Sequence, residues 1–515
     1  MVPVLSPAEC ERWDSLAESA GTARATLMEC AGRATAALIT DRFSIDIAKG
    51  VLVAAGTGNN GGDGWVLARA LHRAGVAVWV APLAGAQSPL CKAAAERALG
   101  EGVRQLAPDG PWPAMGLVID ALLGTGARGA PRAPVAALAE RIAELRVPLV
   151  AIDGPTGLDL GTGVVHAAPK ADVTVTFGGV RRGHLLARDE TGRLIVVDIG
   201  HPPPAPEWPR LVDDGWAARH VPAFTAATHK GERGRVVLLG GAPGMSGAIR
   251  LAARSALAAG AGYAHVVAPA GTLAELRLAE PEVLTLEHAL EEPVSDALAT
   301  LVRSADVLVI GPGLGRSAGA AGFVSSVVAH ARRAVVDADA LTVFAGDVAA
   351  LAGLAESTQV VVTPHPGEFR TLFPELAAER EVNPWGAAMA AADRLRATVL
   401  LKGIPTVVAT PRVRSLTIAS GNPGLGTGGS GDVLSGLLAT VLAQSGQPSV
   451  AAGVAAHVLG RAADLAARRH TVRAVRPADV IAAIPDVWRE WSRRRGAGLS
   501  PRLAILAELP APILS

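Results

Sequence analysis

Cysteine is scarce in this chain. Cys10, Cys30 and Cys91 are the only three in 515 residues. Their spacing fits neither a disulfide framework nor a metal site, so a reducing, cytoplasmic setting is expected. Net charge is scarce too: 48 Lys and Arg against 47 Asp and Glu leave +1. That removes the basic field that would recruit nucleic acid or an anionic membrane, and neither partner is expected. No uninterrupted apolar run reaches the ~20 residues of a membrane span. Near the N-terminus, Glu9, Glu11 and Asp14 break up any apolar core of a secretory signal. What remains is a soluble α/β protein, long enough for two or three domains.

What the chain has in quantity is glycine, and its densest run organises the rest. Residues 422–434, from Asn422 to Leu434, are Gly-rich, carry the single acid Asp432, and lead into an apolar helix predicted over 433–441. Such a loop aims backbone N–H groups and the positive helix end at one point, which suits a phosphate. An acid beside an anion hole is costly unless it does chemistry. Asp432 is therefore expected to take a proton from a hydroxyl that meets a phosphoryl group, held by the N–H groups of residues 428–431.

In chain order, Ser6-Pro7-Ala8-Glu9 reads as a capping box opening a helix to about residue 19, with a second helix over about 26–40. Residues 51–55 then read as a buried strand, 56–64 as a loop, and 65–74 as a helix. Strand, glycine loop, helix is the opening of a doubly wound sheet. Further strands are predicted at 76–80, 116–121, 148–152, 172–177 and 194–197. Gly56, Gly58 and Gly61 match GxGxxG, but the second strand ends Trp79-Val80-Ala81-Pro82 without the acid that a standard NAD site places there. The side chains at the strand ends say more. Asn59, Asn60 and Asp63 project from one strand end, and the strand-end acids Asp120 and Asp153 with the Asn amides and the Thr156 hydroxyl form an all-oxygen set of the kind hard cations take.

Residues 201–209 contain five prolines and are neither helix nor central strand; they are read as the linker. A second domain is expected from 219. Its strands are predicted at 235–239, 264–268, 307–310, 334–336, 359–363 and 398–401. They end in polar, Gly-rich turns, notably Gly311 to Gly315, Asp337 to Leu341, His365 to Phe369 and Lys402 to Thr406. The tail from 491 is expected on the surface or disordered.

These pieces carry a resemblance. Residues 229–231, 311–315, 337–341, 363–369, 402–406 and 421–434 resemble the ribokinase-like family, and within it the NAD(P)H-hydrate dehydratases. Residues 56–64, 120–126 and 153–159 resemble the NAD(P)H-hydrate epimerase domain, with Thr156 keeping a hydroxyl where Ser is usual. The fused pair is similar to bacterial bifunctional nicotinamide-nucleotide repair enzymes. The implied fold is a Rossmann-like three-layer α/β domain over 1–210 and a ribokinase-like α/β/α domain over 219–490.

The resemblance implies an epimerase that interconverts the R and S hydrates NADHX and NADPHX. It also implies a dehydratase that returns the S form to NAD(P)H, with ADP as phosphate donor and AMP and phosphate as products. On the epimerase side Asn59, Asn60, Gly61, Gly62, Asp63, Gly124, Thr125, Gly126, Ala127, Arg128, Gly129, Ala130 and Asp153 are expected to hold the hydrate. Asn60, Asp120 and Thr156 would bind potassium, and Asp153 would carry the proton. On the dehydratase side Ala248, Gly313, Gly315, His365 and Asp432 would line the hydrate pocket. Lys402, Gly403, Ile404, Pro405, Thr406 and Gly431 would contact the nucleotide, and Glu368 would orient Mg2+ through water. A homo-oligomer is expected. Two rivals stay open: a ribokinase-like small-molecule kinase, and a non-catalytic ligand-binding N-terminal domain.

Overall fold

The computed structural model describes residues 1–85, 87–494 and 504–514. The chain divides into two compact units that change over between Trp208 and Pro209. In the first, the strand order is Ile505–Leu509, Arg193–Val197, Val173–Phe177, Leu149–Ile152, Leu117–Ala121, Val51–Ala55, Val78–Pro82, Arg104–Gln105. Every pairing is parallel except that of Ile505–Leu509. Alternation along Val51–Ala55 shows why the sheet takes helices on both faces. Val51, Val53 and Ala55 enter one apolar core with the helices Arg24–Arg42 and Asn59–Arg73, whereas Leu52 and Ala54 enter another with Ala133–Glu144. The result is the expected three-layer α/β unit.

The chain runs outward from Val51–Ala55 and returns on its other side at Leu117–Ala121. That reversal is where open sheets bind ligands. The helix after the first strand starts earlier than the sequence suggests, at Asn59 rather than 65. Residues 59–63 are thus its first turn, not a loop. Close packing demands the glycines: a Cβ at Gly61 would lie 1.9 Å from the Gly56 carbonyl oxygen.

The second unit holds a sheet in the order Arg210–Leu211, Val413–Ile418, Thr406–Thr410, Thr398–Leu401, Gln359–Val362, Arg333–Val336, Val307–Ile310, Arg235–Leu239, Tyr263–Ala268, Leu284–Glu287. Only Thr398–Leu401, Thr406–Thr410 and Val413–Ile418 pair antiparallel. Its reversal falls between Arg235–Leu239 and Val307–Ile310. The unit starts earlier than expected, because Arg210–Leu211 and the helix Asp214–His220 belong to it. The proline run ends by feeding directly into a strand paired with Leu416 and Thr417. The tail also differs from expectation. Residues 491–494 complete the helix Pro477–Arg494, and Ile505–Leu509 closes the edge of the first unit's sheet.

Helix Ser430–Ser445 begins three residues before the predicted start, so Asp432 sits in its first turn. It packs on the helix Ser246–Ala258 so closely that a Cβ at Gly436 would lie 1.9 Å from the Ala252 carbonyl oxygen. Gly436→Ala should force the two helices apart, lowering stability by about 1–3 kcal/mol. Thermal melting together with dehydratase turnover checks this. Helix Pro448–His470 has the length and apolarity to cross a membrane, but 83% of its apolar window is buried in the unit. It serves as a core helix against the strands from Gln359–Val362 to Val413–Ile418.

Candidate active sites

In the first unit a cavity of about 670 Å3 opens at the sheet reversal. Asn59, Asn60, Asp63, Asp153 and residues 124–128 line it. Gly61, Gly62, Gly129 and Ala130 are not among its lining residues. Asp153 ends its strand in a left-handed conformation, φ +65°. Its Oδ2 accepts from the Thr125 N–H at 2.7 Å and from Thr125 Oγ1 at 2.6 Å. Its Oδ1 lies 3.1 Å from the Arg181 guanidinium. Burial pushes the carboxyl up, but Arg181 and Thr125 outweigh it and hold Asp153 below the ordinary range. Asp153 is therefore ionised.

Three supporting residues go beyond those the sequence singles out. Arg181 donates from Nε to Thr125 Oγ1 at 2.9 Å, and from Nη1 to the Phe177 and Gly179 carbonyls. Thr176 donates to Asp153 Oδ1 at 3.4 Å. His184 Nδ1 accepts the Arg181 N–H at 3.2 Å, so its Nε2 carries the proton donated to the Asp153 carbonyl at 2.7 Å. Burial lowers His184 to about 3, which keeps it neutral. Thr176 sits inside the strand Val173–Phe177, whereas Arg181 ends the short strand Val180–Arg181 and His184 lies in the helix Arg182–Leu186, so reading the ends of the apolar runs misses Arg181 and His184.

Asp63 is the opposite case to Asp153. It forms no hydrogen bond or ion pair among the described residues, and burial, then the charges of Asp153 and Asp14, push its carboxyl well above the ordinary range. It is the carboxyl of the cavity wall that its surroundings push toward the protonated form. Two carboxyls pushed apart in this way divide donor from acceptor.

Of the residues expected to hold a cation, Asp120 and Thr156 are joined directly. Asp120 is fully buried, and Thr156 donates to it from its N–H at 2.8 Å and from Oγ1 at 2.7 Å. Burial pushes the Asp120 carboxyl up against those bonds. Both amide atoms of Asn60 are buried and form no hydrogen bond among the described residues. A Cβ at Gly124 would lie 2.8 Å from Asp153 Oδ2 and 3.2 Å from Asn60 Cγ. An orphaned amide beside a buried carboxyl fits a cation held by oxygen.

The second site gathers the other strand ends. Asp337, after the strand Arg333–Val336, is 1% exposed. Lys402 Nζ donates to its Oδ1 at 2.9 Å, and Ser435 Oγ donates to its Oδ2 at 2.6 Å. Burial raises Asp337, but Lys402 more than offsets this and holds it low. The same ammonium stands 3.9 Å from Glu368 Oε2 and 3.4 Å from where a Cβ on Gly431 would be. Lys402 and Gly431 are therefore neighbours. Asp432 lies in the same helix turn. Burial, then the charge of Asp337, raises its carboxyl to about 7. Glu368 is raised to about 7 as well, chiefly by burial.

His365 caps the helix Pro366–Leu372: its Nδ1 accepts the N–H groups of Gly367 and Glu368, and Glu368 Oε2 accepts the His365 N–H at 2.8 Å. Burial, then Lys402, lowers its ring. Ala248 abuts Gly313, where φ is +61° and a Cβ would lie 3.3 Å from that of Ala248. The Gly315 N–H donates to Asp339 Oδ2 at 3.0 Å, and the charge of Asp339 acts on Asp432. Gly403 and Ile404 are exposed, whereas Pro405 is buried and Thr406 half-buried. Among the described residues no group of three His, Cys, Asp or Glu could hold a metal ion unaided.

Two family models match the chain. The NAD(P)H-hydrate dehydratase model matches residues 236–486, and the YjeF-related protein N-terminus model matches residues 24–183. The Bifunctional NAD(P)H-hydrate repair enzyme Nnr of Moorella thermoacetica is 36% identical over 490 residues, 90% of this chain and 92% of that one. Its Escherichia coli counterpart is 35% identical over 495 residues, 91% of each chain. Among solved structures, the ADP/ATP-dependent NAD(P)H-hydrate dehydratase from Bacillus subtilis is 25% identical at a TM-score of 0.48. That match covers 54% of this chain and 97% of that one. At this identity over nearly the whole length, the chain belongs to the family of bifunctional NAD(P)H-hydrate repair enzymes.

Proposed function

We propose that the first unit interconverts the R and S epimers of NADHX and NADPHX, and that the second dehydrates the S epimer using ADP. One observation carries the dehydratase half: Asp432, an acid raised toward neutrality, stands in the helix turn that meets the Lys402 ammonium. Hydroxide is a poor leaving group; phosphate is a good one. Asp432 takes the C6 hydroxyl proton as that oxygen attacks the terminal phosphoryl group of ADP, giving AMP. The ring nitrogen's electron pair then expels phosphate from C6. Loss of a proton from C5 restores the reduced ring. Residues 402–406 and Gly431 hold the nucleotide; Ala248, Gly313, Gly315 and His365 hold the hydrate. Mg2+ would enter with the nucleotide phosphates, with the single carboxylate of Glu368 orienting it through water.

In the epimerase half, Asp63 protonates the departing C6 hydroxyl, and the ring nitrogen's electron pair takes its place. Water returns to the other face of C6 and Asp153 accepts its proton. Asn60, Asp120 and Thr156 would hold potassium, which supplies a fixed charge that does not titrate. Epimer interconversion without ADP should run faster in potassium than in sodium buffer. Equal rates, followed by chromatography, would remove the potassium assignment.

The test of the whole reading is recovery of reduced-nicotinamide absorbance from mixed hydrate epimers with ADP and Mg2+. Recovery of both epimers is expected. Build-up of a phosphorylated product would select the small-molecule kinase instead. Recovery of the S epimer alone, with no enzymatic interconversion, would leave the first unit a ligand-binding module.

A further inference from the structure

A buried ion pair is an expensive way to hold a fold together, because both charges lose their water. The Asp337–Lys402 pair therefore calls for a reason. Its geometry is one-sided. The Asp337 side chain is 1% exposed and that of Lys402 is 20% exposed. The carboxylate is sealed behind, with both oxygens taken: Oδ1 by Lys402 Nζ and Oδ2 by Ser435 Oγ. The ammonium is in front, at the first turn of helix Ser430–Ser445 beside Gly431, and Glu368 stands at its flank. The Lys402 N–H is itself fixed, donating to the Pro364 carbonyl at 3.0 Å. Ser435 is one turn along the same helix from Gly431, its Oγ 3.2 Å from the Gly431 carbonyl oxygen and its single proton turned to Asp337. One carboxylate thus ties the lysine to the helix whose N-terminus forms the anion hole.

From this placement we infer that Asp337 and Ser435 are positioning residues. They hold the Lys402 ammonium for the terminal phosphoryl group of a nucleoside diphosphate, the group transferred, and not for the nucleoside monophosphate left behind. The inference rests on the dehydratase reading above and adds a division of labour within it. The exposed turn at Gly403 and Ile404 contacts the nucleoside part, whereas the sealed ion pair reads the phosphate that leaves. A cation restrained from behind cannot follow the nucleotide; it discriminates by whether a phosphate reaches it.

The experiment compares ADP and AMP binding, each with Mg2+, by titration calorimetry on the full chain. In wild type ADP should bind more tightly than AMP. Asp337→Asn and Ser435→Ala should each weaken ADP about tenfold, the scale of one charge-assisted hydrogen bond. AMP should stay within about twofold. Lys402→Met should abolish the ADP preference, whereas Ser435→Thr, which keeps the hydroxyl, should retain it. At saturating ADP, kcat should still be reduced in Asp337→Asn, because the ammonium is misplaced in the transition state. Equal weakening of ADP and AMP, or no change in either, would overturn the inference. If Asp337→Asn melts too low to assay, Lys402→Met and Ser435→Ala decide between the same two outcomes. Failure of the dehydratase reading would look different, as wild type would then return no reduced nicotinamide from the hydrates.

Discussion

Asp432→Asn should lower dehydratase turnover ~10²–10⁴-fold, the usual effect of removing a general base. The asparagine keeps the shape of the side chain and the helix turn it occupies, so folding and nucleotide binding should survive. The pH profile gives a second readout. In the free enzyme burial, followed by Asp337, raises the Asp432 carboxyl to about 7, with Lys402 acting in the other direction. Below that pH the base is protonated and cannot accept the hydroxyl proton. Wild-type kcat/KM should therefore fall about tenfold per pH unit on the acid side, and level off above neutrality. Glu368, also raised to about 7, is the competing explanation for such a limb. The two separate by substitution: Glu368→Gln should keep the acid limb and Asp432→Asn should lose it. Near-normal turnover in a folded Asp432→Asn protein would end its assignment as the base.

Asp153→Asn should cost the epimerase comparably, ~10²–10⁴-fold in kcat, and should also destabilise the first unit. The reason for the second effect lies in Arg181. Its guanidinium is buried, stands 3.1 Å from Asp153 Oδ1, and also donates to Thr125 and two backbone carbonyls. Removing one partner of a buried pair costs about 3–5 kcal/mol, because the other charge remains without compensation. In addition, an asparagine NH2 in place of Oδ1 would face Arg181 donor to donor. Asp153→Asn/Arg181→Met should recover much of the stability without recovering turnover. If Asp153 only anchors the hydrate, the single variant should mainly raise KM and leave kcat intact. Initial rates of epimer interconversion across hydrate concentration, alongside thermal melting, separate the two roles.

Most of the sheet is legible in the sequence for a local reason. Residues such as 51–55, 307–310 and 398–401 are short apolar runs stopped by glycine or a polar turn, and each forms a strand where expected. Polar side chains at the carboxyl ends of those runs mark Asp120, Asp153, Asp337 and Lys402. The less apolar edges escape such a reading. Leu284–Glu287 and Ile505–Leu509 are only half-buried, so their pattern does not stand out from a surface loop. The helices that start at Asn59 and Ser430 begin earlier than their sequences suggest, because glycines read as flexible turns. Packing against Gly56 and Leu251 decides instead that they lie in or cap a helix.

By itself the sequence determined the two α/β halves, the polar groups at the strand ends, and the acid in the Gly-rich turn. The tertiary structure alone decided which groups act on one another. Lys402 meets an acid 65 positions away and that acid meets Ser435 at a separation of 98, whereas Asp153 is held low by Arg181 while Asp63, in the same cavity wall, is pushed up. Side-chain patterns repeat over a few residues. Charge and desolvation, by contrast, act through space, between strands whose adjacency follows from sheet order.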